Sequence, residues 1–230
     1  MPTHTSYYKT KSRIFSYDPD FQLHVRLEHQ VVTVSHQHEF CECVYVVNGN
    51  GMHQSENHAQ VPIRRGDIIV IPRGGHHAYT QTNRLEIINL MFDTSFLPPI
   101  LMELYSDPTY KHVFLRDHHP DEAADFPMTH LEEPVFQKQE TLLRYLLQEE
   151  TNAGKHCYKL GLFMAVLSNL CEVWKVHTDE ISAPLDIPKL TTYLGQHFQQ
   201  AIYLDDLAKR AGMSRSSLGR HFHSALGVTR

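Results

Sequence analysis

Short apolar runs separated by turn residues occupy the first ninety or so positions of the chain. The runs are rich in β-branched side chains and lie at residues 31–34, 42–47, 61–63, 67–71 and 85–92. Two glycine-rich clusters, at residues 48–51 and 73–75, are typical of tight turns, and the first of them is typical of a hairpin. Short strands at this spacing predict an all-β barrel in the N-terminal part.

The hydrophobic period changes to that of a helix after Pro134. A first helix is predicted where leucines recur at positions 142, 143, 146 and 147. A second predicted helix carries an apolar seam of Leu160, Phe163, Leu167, Leu170 and Trp174. Two interpretations stay open, because such a seam packs either against the outside of the barrel or against the same seam of a second chain. Residues 182–188 contain two prolines and are typical of a linker.

Charge is unevenly distributed along the 230 residues. Residues 1–185 carry 15 Lys and Arg against 23 Asp and Glu, a balance of −8, whereas residues 186–230 carry 6 against 3, a balance of +3. The basic excess of the tail indicates a nucleic-acid partner. Four cysteines without framework spacing favour a reducing compartment, and residues 160–174 are too short and polar to span a bilayer. We therefore expect a cytoplasmic protein without a membrane partner.

Three histidines and one glutamate form a coherent set of candidate metal ligands. Alternate side chains of a strand share a face, so His36, His38 and Glu42 point the same way, and His77 can complete the set from a partner strand. Such a set suits a divalent transition metal: Fe, Mn, Ni or Zn. Each histidine alone would more ordinarily be a hydrogen-bonded core residue, but a buried Glu42 needs a metal, a histidine or a polar ligand to compensate it.

The neighbours of these ligands extend the prediction. Tyr79 has the same parity as His77, so it either lines the same pocket or packs in the core. Cys41 and Cys43 have the opposite parity and are predicted to be small packed hydrophobes. The ligands also stand in a longer frame: His36, His38, Glu42, Gly49, then Gly66, Pro72, Gly74, His77.

This frame resembles the two signature motifs of the cupin superfamily, with Gln30 and Gln81 as small departures from them. The resemblance implies a small antiparallel barrel (a double-stranded β-helix) with its site inside. It specifies the fold more closely than the metal, because sensory barrels of AraC-type regulators often keep the same four residues.

The last part of the chain has the layout of a helix-turn-helix. Residues 186–198 are predicted to form one helix, and Asp205 and Asp206 then stand in the first turn of the next, where they favour the helix dipole. Gly212 suits a left-handed turn, Ser214 suits the N-cap of the following helix, and Leu218 would anchor that helix to the core. Its exposed face would present DNA-contacting residues: Ser214, Arg215, Ser216, Ser217 and Arg220. The alternative is an ordinary solvated helix face.

This segment resembles the first helix-turn-helix of AraC/XylS-type transcriptional regulators, and residues 36–79 resemble regulators of rhamnose and related sugar operons. The resemblance implies a β + α protein in three parts. These are a cupin effector-binding barrel (1–97), a mixed loop and helical linker or dimerisation region (98–181), and the first helix-turn-helix of an incomplete DNA-binding domain (182–230). Family members continue into a second helix-turn-helix, so we expect a truncated chain whose DNA binding is weak and strongly salt-dependent.

The function predicted from these resemblances is a homodimeric, sequence-specific DNA-binding regulator and not an enzyme. A small-molecule effector, expected to be a sugar, would bind His36, His38, Glu42, His77 and Tyr79 in the barrel. Two alternatives remain. One is a metal-dependent cupin oxygenase, isomerase or lyase, although no additional acid–base pair suggests chemistry. The other is an effector-binding module without autonomous DNA binding.

Overall fold

The computed structural model describes residues 7–16, 21–55, 59–94, 104, 107–115, 126–150, 152, 154–174, 203–210 and 218. The chain divides into two compact units, one of residues 1–93 and 116–170 and the other of residues 94–115 and 171–230. The domain boundaries predicted after residues 97 and 181 stay predictions.

Eight strands and five helices make up the described part of the chain. The strands are β1 Tyr7–Lys9, β2 Leu23–Gln30, β3 His36–His38, β4 Cys41–Ser55, β5 Val61–Arg64, β6 Asp67–Ile71, β7 His76–Phe92 and β8 Met128–His130. The helices are α1 Lys11–Ile14, α2 Pro108–Phe114, α3 Glu133–Gln148, α4 His156–Val173 and α5 Leu204–Arg210.

All eight strands belong to one sheet, which is antiparallel except for the short β1–β3 pair. The long strand β7 pairs with β2, β3 and β4, and β4 also pairs with β5 and β6. A core of aliphatic side chains with one tyrosine and one phenylalanine fills one face of the sheet: Val44, Val46, Ile63, Ile69, Ile71, Tyr79, Leu85, Ile87 and Phe126. The all-β architecture predicted for the N-terminal part is confirmed.

Helix α4 covers part of the other face of the sheet. The ring of Phe163 meets that of Phe92 edge to face, with 4.9 Å between centroids, and Leu167 and Leu170 are fully buried. Helix α3 lies beside α4, since the side-chain amide of Gln139 donates to the carbonyl of Val166 at 3.3 Å. The predicted apolar seam is therefore buried within its own chain along Phe163, Leu167 and Leu170.

Two strand-and-turn predictions were wrong. Residues 31–34 form no strand, and their three valines are 65–72% exposed, because this segment is the connection from β2 to β3 at the edge of the sheet. Residues 48–51 form no hairpin turn, because β4 runs straight through them. The pairing of β4 with β7 shifts register three times in the segment that contains these glycines. Gly49 adopts a φ of +70° there.

The second unit is described at two helices and a few further residues. Asp107 caps α2 by accepting from the backbone N–H of Thr109 at 2.7 Å. Helix α5 begins at Leu204, so Asp205 and Asp206 do lie in its first turn, and Ala208 and Leu218 are buried. The predicted helix at 186–198 and the predicted DNA-contacting residues lie outside the described residues: Ser214, Arg215, Ser216, Ser217 and Arg220.

Candidate functional site

Three strands bring the four candidate ligands together. The prediction that one strand carries three of them was wrong, because the strand is interrupted at Glu39 and Phe40. His36 and His38 therefore lie on β3, and Glu42 lies on β4. His77 of β7 stands directly opposite His36 in the β3–β7 register. All four side chains are buried, with exposures of 7% or less.

The carboxylate of Glu42 lies at the centre of the cluster. Its Oε2 atom is 3.0 Å from Nε2 of His38 and 3.5 Å from Nε2 of His77. His36, Glu42 and His77 each offer one ligand atom within 4.8 Å of the others. Although these atoms approach closely, neither carboxylate oxygen of Glu42 has a hydrogen bond of normal geometry within the described residues.

The backbone determines how two of the imidazoles are protonated. Nδ1 of His38 lies 2.7 Å from the carbonyl of Phe40, and Nδ1 of His36 lies 3.3 Å from the carbonyl of Val34. A carbonyl oxygen only accepts, so each Nδ1 carries the proton. In the neutral ring Nε2 is then a lone pair, and both Nε2 atoms are buried without a hydrogen-bond partner among the described residues.

The electrostatics favour an ionised carboxylate on Glu42. Burial opposes the charge of Glu42, but the close imidazoles of His38 and His77 outweigh it and hold the pKa of Glu42 well below its usual range. Burial also lowers the pKa of His77 well below its usual range. Burial, assisted by the charge of Lys9, lowers the pKa of His36 to about 4. A cation or an imidazole N–H beside Glu42 stabilises this negative charge.

A cavity of about 500 Å³ opens beside this cluster. Its walls combine both signs of charge with hydroxyl, amide and imidazole groups: Lys9, Glu28, Gln30, Thr33, Val34, His36, Glu42, His77, Tyr79 and Asn89. Lys9, Glu28 and Gln30 were missed from the sequence, because β1 and β2 were not predicted. Asn89 was missed because its direction depends on the register of β7 against β4. With β2 recognised, strand alternation would have placed Glu28 and Gln30 on one face.

Tyr79 lies where its parity with His77 predicted, in the wall of the cavity. Its ring is perpendicular to that of His77 at 5.6 Å, and its hydroxyl is buried without a hydrogen-bond partner among the described residues. The backbone of Tyr79 is held at the rim, because its N–H donates to Oγ1 of Thr33 and its carbonyl accepts from the Thr33 N–H. The hydroxyl of Tyr79 is therefore held in the cavity wall and is available to hydrogen-bond a ligand.

A fourth buried imidazole, His53, was also missed. Strict alternation from Glu42 along β4 points residue 53 away from the cavity side. The register shifts between Val46 and Met52 reverse that parity, so His53 pairs with Tyr79 and is only 4% exposed. No pattern in the sequence locates such bulges, although the glycines at 49 and 51 are a signal that they occur.

Cys41 and Cys43 are buried on the face opposite Glu42, in agreement with the prediction that they are small packed hydrophobes. Directly opposed residues of neighbouring strands share a face, and Cys41 is opposed by Phe92, which meets α4. None of the helices in the described ranges combines the length and the hydropathy that a bilayer crossing requires.

Comparison with known proteins extends this picture. The cupin domain model matches residues 23–91, the segment that contains the cluster. The HTH-type transcriptional activator RhaR of Mannheimia succiniciproducens is 23% identical over 197 residues, which are 84% of this chain and 66% of the relative. RhaR of an Enterobacter species is 25% identical over 204 residues, 87% of this chain and 68% of the relative.

Among solved structures, apo ToxT from Vibrio cholerae aligns with 90% of this chain and 76% of its own, at 10% identity and a TM-score of 0.44. This likeness is too low to carry an argument. The sequence relatives and the domain match confirm the predicted resemblance to AraC-type regulators with a cupin domain. The chain spans about two-thirds of the length of the two RhaR relatives.

Proposed function

We propose that this protein is a transcriptional regulator that binds a sugar in the cupin cavity and DNA through its C-terminal part, in the cytoplasm. The observation that carries the proposal is the cavity of about 500 Å³. Its buried polar atoms without partners include acceptors, on Glu42 and on Oδ1 of Asn89, and a donor, the Tyr79 hydroxyl. A sugar hydroxyl both donates and accepts, so a polyhydroxylated ligand satisfies both kinds of atom.

A matched pair of tyrosines tests the effector proposal. Tyr79 and Tyr45 are both fully buried with an unpartnered hydroxyl among the described residues, but Tyr45 lies on the opposite face of the sheet. In calorimetric titrations with rhamnose and other monosaccharides, Tyr79→Phe should weaken binding about three- to tenfold, the effect of one lost hydrogen bond. Tyr45→Phe should leave affinity unchanged. An equal effect of both substitutions, or no binding of any monosaccharide, would contradict the proposal.

We further propose that His36, His38, Glu42 and His77 hold a divalent transition metal (Fe, Mn, Ni or Zn). The ligand atoms of His36, Glu42 and His77 already lie within 4.8 Å of one another. The support is the orientation of the lone pairs: Nε2 of His38 faces the ionised Glu42 at 3.0 Å, a repulsive contact unless a cation or a proton lies between them. A bound metal would supply a positive charge that sugar oxygens coordinate.

Metal content measured by elemental analysis tests this second proposal. The purified protein should contain near-stoichiometric metal, and His38→Ala should lose most of it. His29→Gln is the control, because the side chain of His29 is 75% exposed and lies outside the cluster. Metal-free protein of unchanged stability would refute the proposal.

The enzyme alternative uses the same cluster, since three histidines and a glutamate on a metal leave positions open for a substrate. The two functions differ in the fate of the sugar. We expect a sugar incubated with the metal-loaded protein to be recovered unchanged by NMR, whereas an isomerase, oxygenase or lyase would convert it.

Self-association is proposed through the exposed surface of the two long helices, because Phe163, Leu167 and Leu170 are already buried within the chain. Tyr145 on α3 and Tyr158 on α4 are 46% and 48% exposed. Analytical ultracentrifugation should show a dimer that Tyr158→Glu weakens. A monomer at high micromolar concentration would contradict this part of the proposal.

A further inference from the structure

His77 differs from the other two imidazoles in what holds its ring. His36 and His38 each donate Nδ1–H to a backbone carbonyl, but neither nitrogen of His77 has a hydrogen-bond partner among the described residues, and both are buried. A histidine that binds a metal almost always donates its second N–H to a partner, which determines the tautomer and the ring orientation. Within the described residues His77 has no such partner.

His53 lies where it can act as the hydrogen-bond partner of the His77 ring. In the β4–β7 register His53 is opposite Tyr79 and Ser55 is opposite His77, so His53 lies on the same face as the ligand. Its ring centroid is 5.7 Å from that of His77 and 5.6 Å from that of Tyr79. Nε2 of His53 is itself buried without a hydrogen-bond partner among the described residues.

Two unsatisfied buried nitrogens on neighbouring rings are costly, and a single buried water between them would satisfy both. We propose that His53 is a positioning residue for His77: Nδ1–H of His77 donates through one buried water to Nε2 of His53, which leaves Nε2 of His77 as a lone pair directed at the site. This inference rests on the proposed function of His77 as a ligand of the site.

The neutral state of His53 agrees with this arrangement. Burial lowers the pKa of His53 to about 4, so at neutral pH Nε2 is available as an acceptor when Nδ1 carries the ring proton. The competing partner for His77 is the hydroxyl of Tyr79, whose ring is equally close. The experiment must therefore separate His53 from Tyr79.

Long-range ¹H–¹⁵N correlation spectra of histidine-labelled, chelator-treated protein report the tautomer of His77 without any metal. The wild type should show a single Nδ1–H tautomer. His53→Phe keeps a ring beside Tyr79 and Phe126 but removes the acceptor, and it should give a mixture of tautomers. His53→Gln restores a polar group at similar depth and should restore the Nδ1–H tautomer, which a purely structural role of the ring would not predict.

Zinc titration supplies the second measurement. The loss of such an outer partner typically lowers metal affinity 10- to 100-fold, so His53→Phe should bind Zn²⁺ that much more weakly, and His53→Gln should stay close to the wild type. His29→Gln serves as the control for removal of an exposed histidine.

Three results would overturn the inference. They are an Nε2–H tautomer of His77 in the wild type, an unchanged tautomer in His53→Phe, and a change of tautomer in Tyr79→Phe alone. A wild-type protein that binds no Zn²⁺ but shows the expected tautomers would count against the metal site and leave the contact between His53 and His77 standing. Spectra of the wild type decide the first result even if His53→Phe fails to fold.

Discussion

At the scale of single residues, the buried imidazole of His53 makes the stability of the fold depend on pH. Its pKa is lowered from 6.5 to about 4, so as the pH falls below 6.5 the unfolded chain takes up the proton first. The contribution of His53 to stability is therefore fully present above pH 6.5 and is lost progressively between pH 6.5 and about 4. The loss amounts to about 3 kcal/mol.

Urea unfolding of chelator-treated protein at a series of pH values checks this prediction. The free energy of unfolding should fall less steeply between pH 6.5 and 4 in His53→Phe than in the wild type. His29→Gln, at an exposed histidine, should keep the wild-type slope. A variant of His53 with an unchanged slope would show that this ring titrates normally in the folded protein.

The four residues of the candidate cluster were predictable from the sequence, whereas the groups around them were not. His36, His38, Glu42 and His77 stand out because four polar residues share a spacing and, for the first three, one parity. His53 and Asn89 carry no such mark, because their inward direction depends on cross-strand register, which is a property of pairs of strands. Alternation along one strand therefore predicts which of its own side chains share a face, but not which residues of the neighbouring strands lie beside them.

At the scale of elements, helices and regular strands followed the hydrophobic period, and irregular β4 did not. Residues 142–147 lie within α3 and residues 67–71 form β6, as predicted. The Asn-Gly-Asn-Gly sequence at 48–51 has ideal hairpin composition, yet it lies inside a strand of 15 residues. The pairing of β4 with β7 on both sides of these glycines outweighs the local preference of the sequence for a turn.

Substitution of Gly49 tests the importance of this bulged segment. Gly49 has a φ of +70°, and a Cβ there would lie 2.1 Å from the carbonyl oxygen of Arg84. We expect Gly49→Ala to reduce the free energy of unfolding by about 3 kcal/mol or more, because both the conformation and the space exclude a side chain.

Gly161→Ala is the matched control for this substitution. Gly161 lies in α4, where a Cβ would meet nothing within 4 Å, so alanine should stabilise the protein by about 0.5–1 kcal/mol. Thermal and urea unfolding measure both variants. A Gly49→Ala protein as stable as the wild type would mean that the register shifts are not fixed by this residue.

At the scale of the whole molecule, the uneven charge distribution leads to a prediction about DNA. The basic excess lies in residues 186–230, while the rest of the chain is acidic. Binding to duplex DNA should therefore weaken steeply as salt increases, because binding releases counterions from the phosphates. In fluorescence anisotropy, replacing Arg215 and Arg220 together by Gln should reduce the slope of log K against log salt by about 2 if each contacts a phosphate.

Arg144→Gln is the control for charge alone. Arg144 lies on α3 and is paired with Glu140 at 2.6 Å, so its loss should leave the slope unchanged. Equal effects of the two substitutions would mean that net charge, and not the helix-turn-helix segment, determines binding.

The irregularity of β4 also makes the surroundings of His77 easy to change in evolution. Deletion of a single codon between Val47 and Gly51 would exchange the two faces for all the side chains that follow in the strand. His53 would then turn away from His77 and Tyr79, and Met52 or Gln54 would take its place. His36, Glu42 and His77 lie outside that part of the strand and would keep their positions. A relative with this deletion would retain the cluster and lose the imidazole neighbour of His77.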